Sequence, residues 1–96
     1  MKVEYSNRAL VDLRKASVDS RVFGDRVSEA LEKRIRDVIA FIADRPEGAS
    51  GITERPGVRV IPLAPYPYKI FYRVLDDRVR ILHVRHTSRR PWTRYR

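Results

Sequence analysis

The sequence predicts an α+β domain in which a helical hairpin packs on a small antiparallel sheet, in the order β-α-α-β-β-β. Two observations carry that expectation. Residues 26–44 repeat apolar side chains at helical spacing over a stretch too long for a strand. Residues 68–86 form two arms crowded with β-branched and aromatic residues around Asp76-Asp77, the pattern of a hairpin with a two-residue loop.

In chain order, MKVEY alternates as a short strand with Val3 and Tyr5 on one side. Ser6 can cap a first helix over residues 7–18, with Leu10, Leu13 and Ala16/Ser17 on one stripe. Gly24 breaks the chain and Asp25 can cap the second helix. In that helix Val27, Ala30, Leu31, Ile35, Val38, Ile39 and Ile42 form the apolar face, with Arg26, Glu29, Lys33, Arg36 and Asp37 mostly opposite. From Arg26 to Asp44 it spans about 28 Å, and Arg45-Pro46 ends it because a residue before proline is pushed out of the helical region.

Residues 46–57, PEGASGITERPG, read as a loop, and residues 58–63 as a strand whose Pro62 marks an edge or an end of pairing. Ala64-Pro65-Tyr66-Pro67 is a stiff connector. The hairpin arms, 68–75 and 78–86, then place Val74 opposite Val79, Arg73 opposite Arg80 and Tyr72 opposite Ile81. Continued alternation gives a core face of Ile70, Tyr72, Val74, Val79 and Ile81, which also takes His83 as a structural histidine. The other face receives Lys69, Phe71, Arg73, Arg80, Leu82, Val84 and His86. Two arginines directly opposite repel, so that face looks at water or at an acidic partner.

Composition narrows the function classes. Ninety-six residues make one domain, 1–96, with a basic tail over 86–96. Cysteine is absent, which excludes disulfides and thiolate metal sites. No leader is evident and no apolar run approaches the roughly 20 residues of a membrane span, so a cytoplasmic location is expected. The formal charge is +9, and it is segregated. Residues 1–54 hold ten basic and ten acidic side chains, whereas residues 55–96 hold eleven basic ones against Asp76 and Asp77 alone. Such a one-sided field favours nucleic acid or an acidic protein.

No metal or other cofactor is expected. His83 and His86 sit three apart on a strand, pointing to opposite faces, with no carboxylate cluster beside them. Gly48 and Gly51 lack the Lys-Ser/Thr of a phosphate loop, and no serine has an evident base. Arginine, lysine, histidine and tyrosine are left around the hairpin and tail. That set suits phosphate recognition, or metal-free RNA cleavage in which cations stabilise the developing charge and His or Tyr moves protons. Trp92 reads as an anchor packing the tail on apolar surface.

The element order, the loop after a long second helix, and Tyr68-Lys69-Ile70-Phe71-Tyr72-Arg73-Val74 continued through residues 79–86 resemble the RelE/ParE superfamily of bacterial type II toxin–antitoxin modules. The resemblance covers nearly the whole chain. It implies a growth-inhibiting toxin of a plasmid-stabilisation type module, held inactive by an acidic cognate antitoxin. On the hairpin, antitoxin binding is expected at Lys69, Phe71, Arg73, Arg80, Leu82 and Val84, and target binding at Arg85, His86, Arg89 and Arg90. RelE-like members cleave messenger RNA on the ribosome, and ParE-like members poison DNA gyrase. Arg55 without a lysine pair in the preceding loop, Phe71-Tyr72-Arg73-Val74, and His86 followed by Ser88 look ParE-like. Arg59, Arg73, Arg85, His86, Arg90 and Tyr95 are the candidate catalytic set of the RelE-like alternative. A further alternative is a nucleic-acid-binding module without toxicity.

Overall fold

In the computed structural model, which describes residues 1–52 and 55–87, Ser6 starts the first helix as the sequence predicts: its hydroxyl accepts from the Ala9 N–H at 3.0 Å. The chain runs β1 (Lys2–Tyr5), α1 (Asn7–Ser20), a single 3₁₀ turn (Arg21–Phe23), α2 (Asp25–Asp44), β2 (Ser50–Ile52), β3 (Arg55–Pro62), β4 (Tyr68–Val74) and β5 (Arg78–His86). Gly24, at φ +102°, occupies the N-cap of α2, so Asp25 lies inside the first turn, where its charge favours the helix dipole. The buried residues of α1 are Ala9, Asp12, Ala16 and Ser20; of the stripe expected, Ala16 is buried and Leu13 packs against the core, whereas Leu10 is 52% exposed.

The strands form one five-stranded sheet in the order β1-β5-β4-β3-β2. It is mixed rather than wholly antiparallel, because β1 runs parallel to β5, with Lys2 opposite Arg78 and Glu4 opposite Arg80. Parallel neighbours need a long crossover, and the two helices supply it. Strand β2 falls in the stretch read as a loop. It is three residues long, and side chains from the sheet hold the segment that leads into it. Tyr72 Oη donates to the Pro46 carbonyl at 2.6 Å, and Arg59 Nη1 donates to the carbonyls of Ala49 (2.7 Å) and Glu47 (3.4 Å). Pro62 closes the pairing of β3 with β4, opposite Lys69.

The turn-proximal half of the hairpin keeps the expected register: Val74 faces Val79, Arg73 faces Arg80 and Tyr72 faces Ile81. Between Phe71 and Tyr72 the register then shifts by one, so that Phe71 faces His83 and Leu82 is left over as a bulge. Ile70 faces Val84, Lys69 faces Arg85 and Tyr68 faces His86. A shift of one moves every later side chain to the opposite face. Val84 and His86 therefore go to the helix side, and His83 and Arg85 to the outer side, each the reverse of the expectation from unbroken alternation.

Helix α1 supplies the cause. Where β1 ends, the Ser6 N–H donates to the Ile81 carbonyl (3.0 Å) and the Ser6 hydroxyl to the Leu82 carbonyl (2.9 Å). The Asp12 carboxylate accepts from the Val84 N–H at 3.0 Å. The helix end and one side chain thus serve the strand edge that β1 is too short to reach.

The core lies between the helices and one face of the sheet. Ala9, Ala16, Leu31, Ile35, Val38 and Ile42 meet Leu63, Ile70, Tyr72, Val79, Ile81 and Val84. Each large buried aliphatic side chain there contributes about 1.5–3 kcal/mol relative to exposure. Among the described residues, no helix is long and apolar enough to cross a membrane.

Candidate functional site

Register places the cations. On the face away from the helices, β1 contributes Lys2 and Glu4, β4 contributes Lys69 and Arg73, and β5 contributes Arg78, Arg80 and Arg85. Glu4 is the single carboxylate that these three strands put on that face. It bridges Arg80 (Nε to Oε2, 2.8 Å) and Arg78 (Nε to Oε1, 3.2 Å), and Arg78 also reaches Asp77 at 2.8 Å. The Arg73–Arg80 repulsion read from the sequence is therefore relieved within the chain. Lys69 and Arg73 stay exposed. Gly57, at φ +84°, lies under Arg73: a Cβ added there would stand 3.1 Å from its guanidinium.

The apolar residues expected bare on this face are withdrawn. Phe71 is 7% exposed and lies 6.2 Å, ring to ring, from His83. Val84 is 5% exposed and belongs to the core cluster on the other side. Leu82 is half-buried in the bulge. Of the six residues proposed for antitoxin contact, only Lys69, Arg73 and Arg80 are solvent-facing.

Beneath the cations sits a buried polar chain. Asp12 Oδ2 meets His83 Nδ1, and the far nitrogen of the same ring, Nε2, faces Arg85 Nη1 at 3.2 Å. The other carboxylate oxygen pairs with the exposed Arg8, Nε to Oδ1 at 3.1 Å. An arginine always donates, so Nε2 accepts from it, and Nδ1–H donates to Asp12. This arrangement requires neutral His83. Burial pushes its pKa below the usual value of 6.5, outweighing the Asp12 carboxylate, which pulls it up. Arg85, 9% exposed, is held inside this chain, where the sequence had offered it as a target contact. Sequence reasoning passed over Asp12. Its signal is positional: it stands three after Ala9 and four before Ala16, on the buried stripe of α1.

The remaining candidates separate. His86 is half-buried on the helix side, where its ring meets Tyr68 edge-on at 5.2 Å. Arg59, opposite Tyr72, is also on that side with its guanidinium on loop carbonyls. Arg73 and Arg85 lie on the outer face. Arg89, Arg90, Trp92 and Tyr95 fall outside the described residues. Among the described residues, no three His, Asp or Glu side chains stand together as metal ligands.

An open apolar groove of about 510 Å³ lies elsewhere, where β1 passes the helical hairpin. Val3, Tyr5, Leu13, Ile35, Ile39 and Ala40 line it, with Glu32 and Arg36 among its polar residues.

A two-helix hairpin on one face of a mixed five-stranded sheet, with the opposite face cationic, defines the class: a RelE/ParE-type α+β domain. The family profile described as ParE toxin of type II toxin–antitoxin system, parDE, matches residues 3–91, and the chain belongs to that family. Solved structures agree in fold. The chain is similar to one in the chromosomal ParDE TA system from P. aeruginosa, with 22% identity, 92% of this chain and 97% of that one covered, and a TM-score of 0.76. It is also similar to a chain of the intact E. coli RelBE toxin–antitoxin complex (24% identity, 93% and 98% covered, TM-score 0.63). A third likeness is the YoeB/ParE toxin from Agrobacterium tumefaciens (17% identity, 90% and 98% covered, TM-score 0.65). No curated protein sequence matches the chain.

Proposed function

We propose that this chain is a ParE-like toxin that arrests bacterial growth by poisoning DNA gyrase and is neutralised in the cytoplasm by a cognate antitoxin. The family match over residues 3–91 carries the toxin reading. One structural observation favours gyrase over messenger RNA. The described members of the candidate ribonuclease set are divided between the two faces of the sheet, Arg59 and His86 on one and Arg73 and Arg85 on the other. General acid–base chemistry needs its groups within hydrogen-bond reach of one reacting centre. A binding poison has no such requirement.

The target contact is assigned to the basic tail, through Arg89 and Arg90. The antitoxin's apolar side chains are assigned to the groove of Val3, Leu13, Ile35 and Ile39, since among the described residues the outer sheet face exposes no comparable apolar surface. An amphipathic segment laid into such a groove is a recurrent mode of peptide recognition.

Induced expression in a bacterium tests the reading. Filamentation with a DNA-damage response is expected, together with gyrase-dependent cleavage complexes on plasmid DNA in vitro. Prompt loss of translation with cleaved messenger RNA would replace it with the RelE-like alternative, and unimpaired growth with soluble, folded chain would overturn both. Replacing Arg89 and Arg90 with alanine should abolish arrest and shift stability by no more than about 0.5 kcal/mol.

A further inference from the structure

We infer that the outer face of the sheet is a binding surface for the phosphate backbone of duplex DNA, with Lys69 and Arg73 as its principal contacts. The inference goes beyond the gyrase reading and does not depend on it.

Alternation and register bring Lys2, Lys69, Arg73, Arg78 and Arg80 onto one side of three adjacent strands, with Glu4 the one carboxylate among them. Neighbouring strands lie about 4.8 Å apart, and Lys69 and Arg73, four residues apart on β4, are separated by about 13 Å. A duplex presents one phosphate per roughly 3.4 Å of rise on each strand, so a row of this length spans several.

The chemistry of the face selects the ligand. A protein partner draws its interface energy from a desolvated apolar and aromatic centre. Among the described residues no exposed centre of that kind stands on this face: Phe71 is 7% exposed, Val84 has turned to the core, and Leu82 is half-buried. Val58, opposite Arg73, and Phe71, between Lys69 and Arg73, are themselves buried, and among the described residues no exposed large apolar side chain accompanies the cations. Such a surface suits a polyanion, whose binding is driven by released counterions and needs no apolar centre. Glu4 ties down Arg80 and Arg78 as an ordered pair, and Lys69 and Arg73 are left toward solvent. Phosphate contacts carry no base information, so binding should be indifferent to sequence.

The test is fluorescence anisotropy of a short labelled random-sequence duplex with the full chain, across a series of NaCl concentrations and without gyrase. The Lys69→Gln/Arg73→Gln chain should lower the slope of log affinity against log salt by roughly 2, about one per lost phosphate contact. Lys69→Arg/Arg73→Lys should keep the slope, and Arg26→Gln/Lys33→Gln, which removes equal charge from α2, should leave it nearly unchanged. The inference is overturned if the wild type shows no salt-dependent binding, or if the Lys69/Arg73 variant keeps its slope. An equal loss from the α2 pair would also overturn it, by making the effect one of net charge. So would poly-glutamate displacing the duplex at matched charge, which would make the surface one for acidic protein. Because gyrase is absent, these outcomes are separate from those of the expression experiment.

Discussion

The two faces of the sheet are cut from the same alternating strands and have opposite characters. The helix side gathers Ile70, Tyr72, Val79, Ile81 and Val84 into a core, and the outer side gathers Lys69, Arg73, Arg78, Arg80 and Arg85. Period-two alternation sorts side chains, but it says nothing about where the sorting reverses. In β5 it reverses at Leu82, and the residues beyond exchange faces. The outer face is therefore not a spare surface. It carries charge at a density that requires internal relief, from Glu4 on the surface and from Asp12 through His83 beneath it.

The largest test of this contrast is at Asp12. Replacing it with alanine leaves the Val84 N–H and the His83 Nδ1–H without their buried acceptor, and each buried donor left unsatisfied costs about 1–3 kcal/mol. Arg8→Ala, which removes only the exposed partner of the same carboxylate, should cost no more than about 1 kcal/mol. Urea denaturation of both chains measures the difference. Equal losses would show that the buried side of the cluster matters no more than its surface.

Val84 gives the next effect. On the helix face, Val84→Ala removes two buried carbons and should destabilise by about 1.5–3 kcal/mol. Without the bulge the residue would point outward, and the same change would stay within about 0.5 kcal/mol. The denaturation midpoint thus reports the register directly.

The pH dependence is smaller and has a definite sign. With the folded-state pKa of His83 held below 6.5, the unfolded chain takes up its proton first as pH falls. The contribution of neutral His83 is complete above that pH and is lost progressively below it, down to the lower folded-state value. Thermal melts on acidification from neutral pH should show this loss, and His83→Gln should flatten it. A loss of equal size in His83→Gln would assign the effect to carboxylates instead.

The smallest effect is expected at Glu4 and Arg80. Both side chains are partly exposed, Arg80 at 49% and Glu4 at 36%, so a double-mutant cycle should give about 0.2–1 kcal/mol, diminishing with salt. A larger, salt-insensitive coupling would mean that the outer face is drier than its exposure implies.

Much of this was legible in the residues. Ser6 marked the start of α1, Arg45-Pro46 the end of α2, and Asp76-Asp77 the turn that fixes Arg73 against Arg80. Segregation of charge into residues 55–96 already pointed to one cationic surface. The site was less legible. Arg59 was a candidate of the ribonuclease set and holds loop carbonyls, and His86 looked solvent-facing and lies beside Tyr68. In each case a side chain's role is set by a partner distant in sequence.

The elements that rest on local physics could be read from the residues alone: helical periodicity, capping, proline breaks, and a tight turn with the pairs next to it. Tertiary structure decided what local pattern cannot encode. The parallel docking of β1, the short β2 and the bulge at Leu82 all depend on hydrogen-bonding groups brought from afar. Asp12 and Val84, 72 residues apart, fix the last of these. A β5 edge left open beyond β1 must satisfy its backbone groups somewhere, and Ser6 and Asp12 supply the partners. That choice carries Val84 and His86 inward and puts His83 and Arg85 beneath the cationic face.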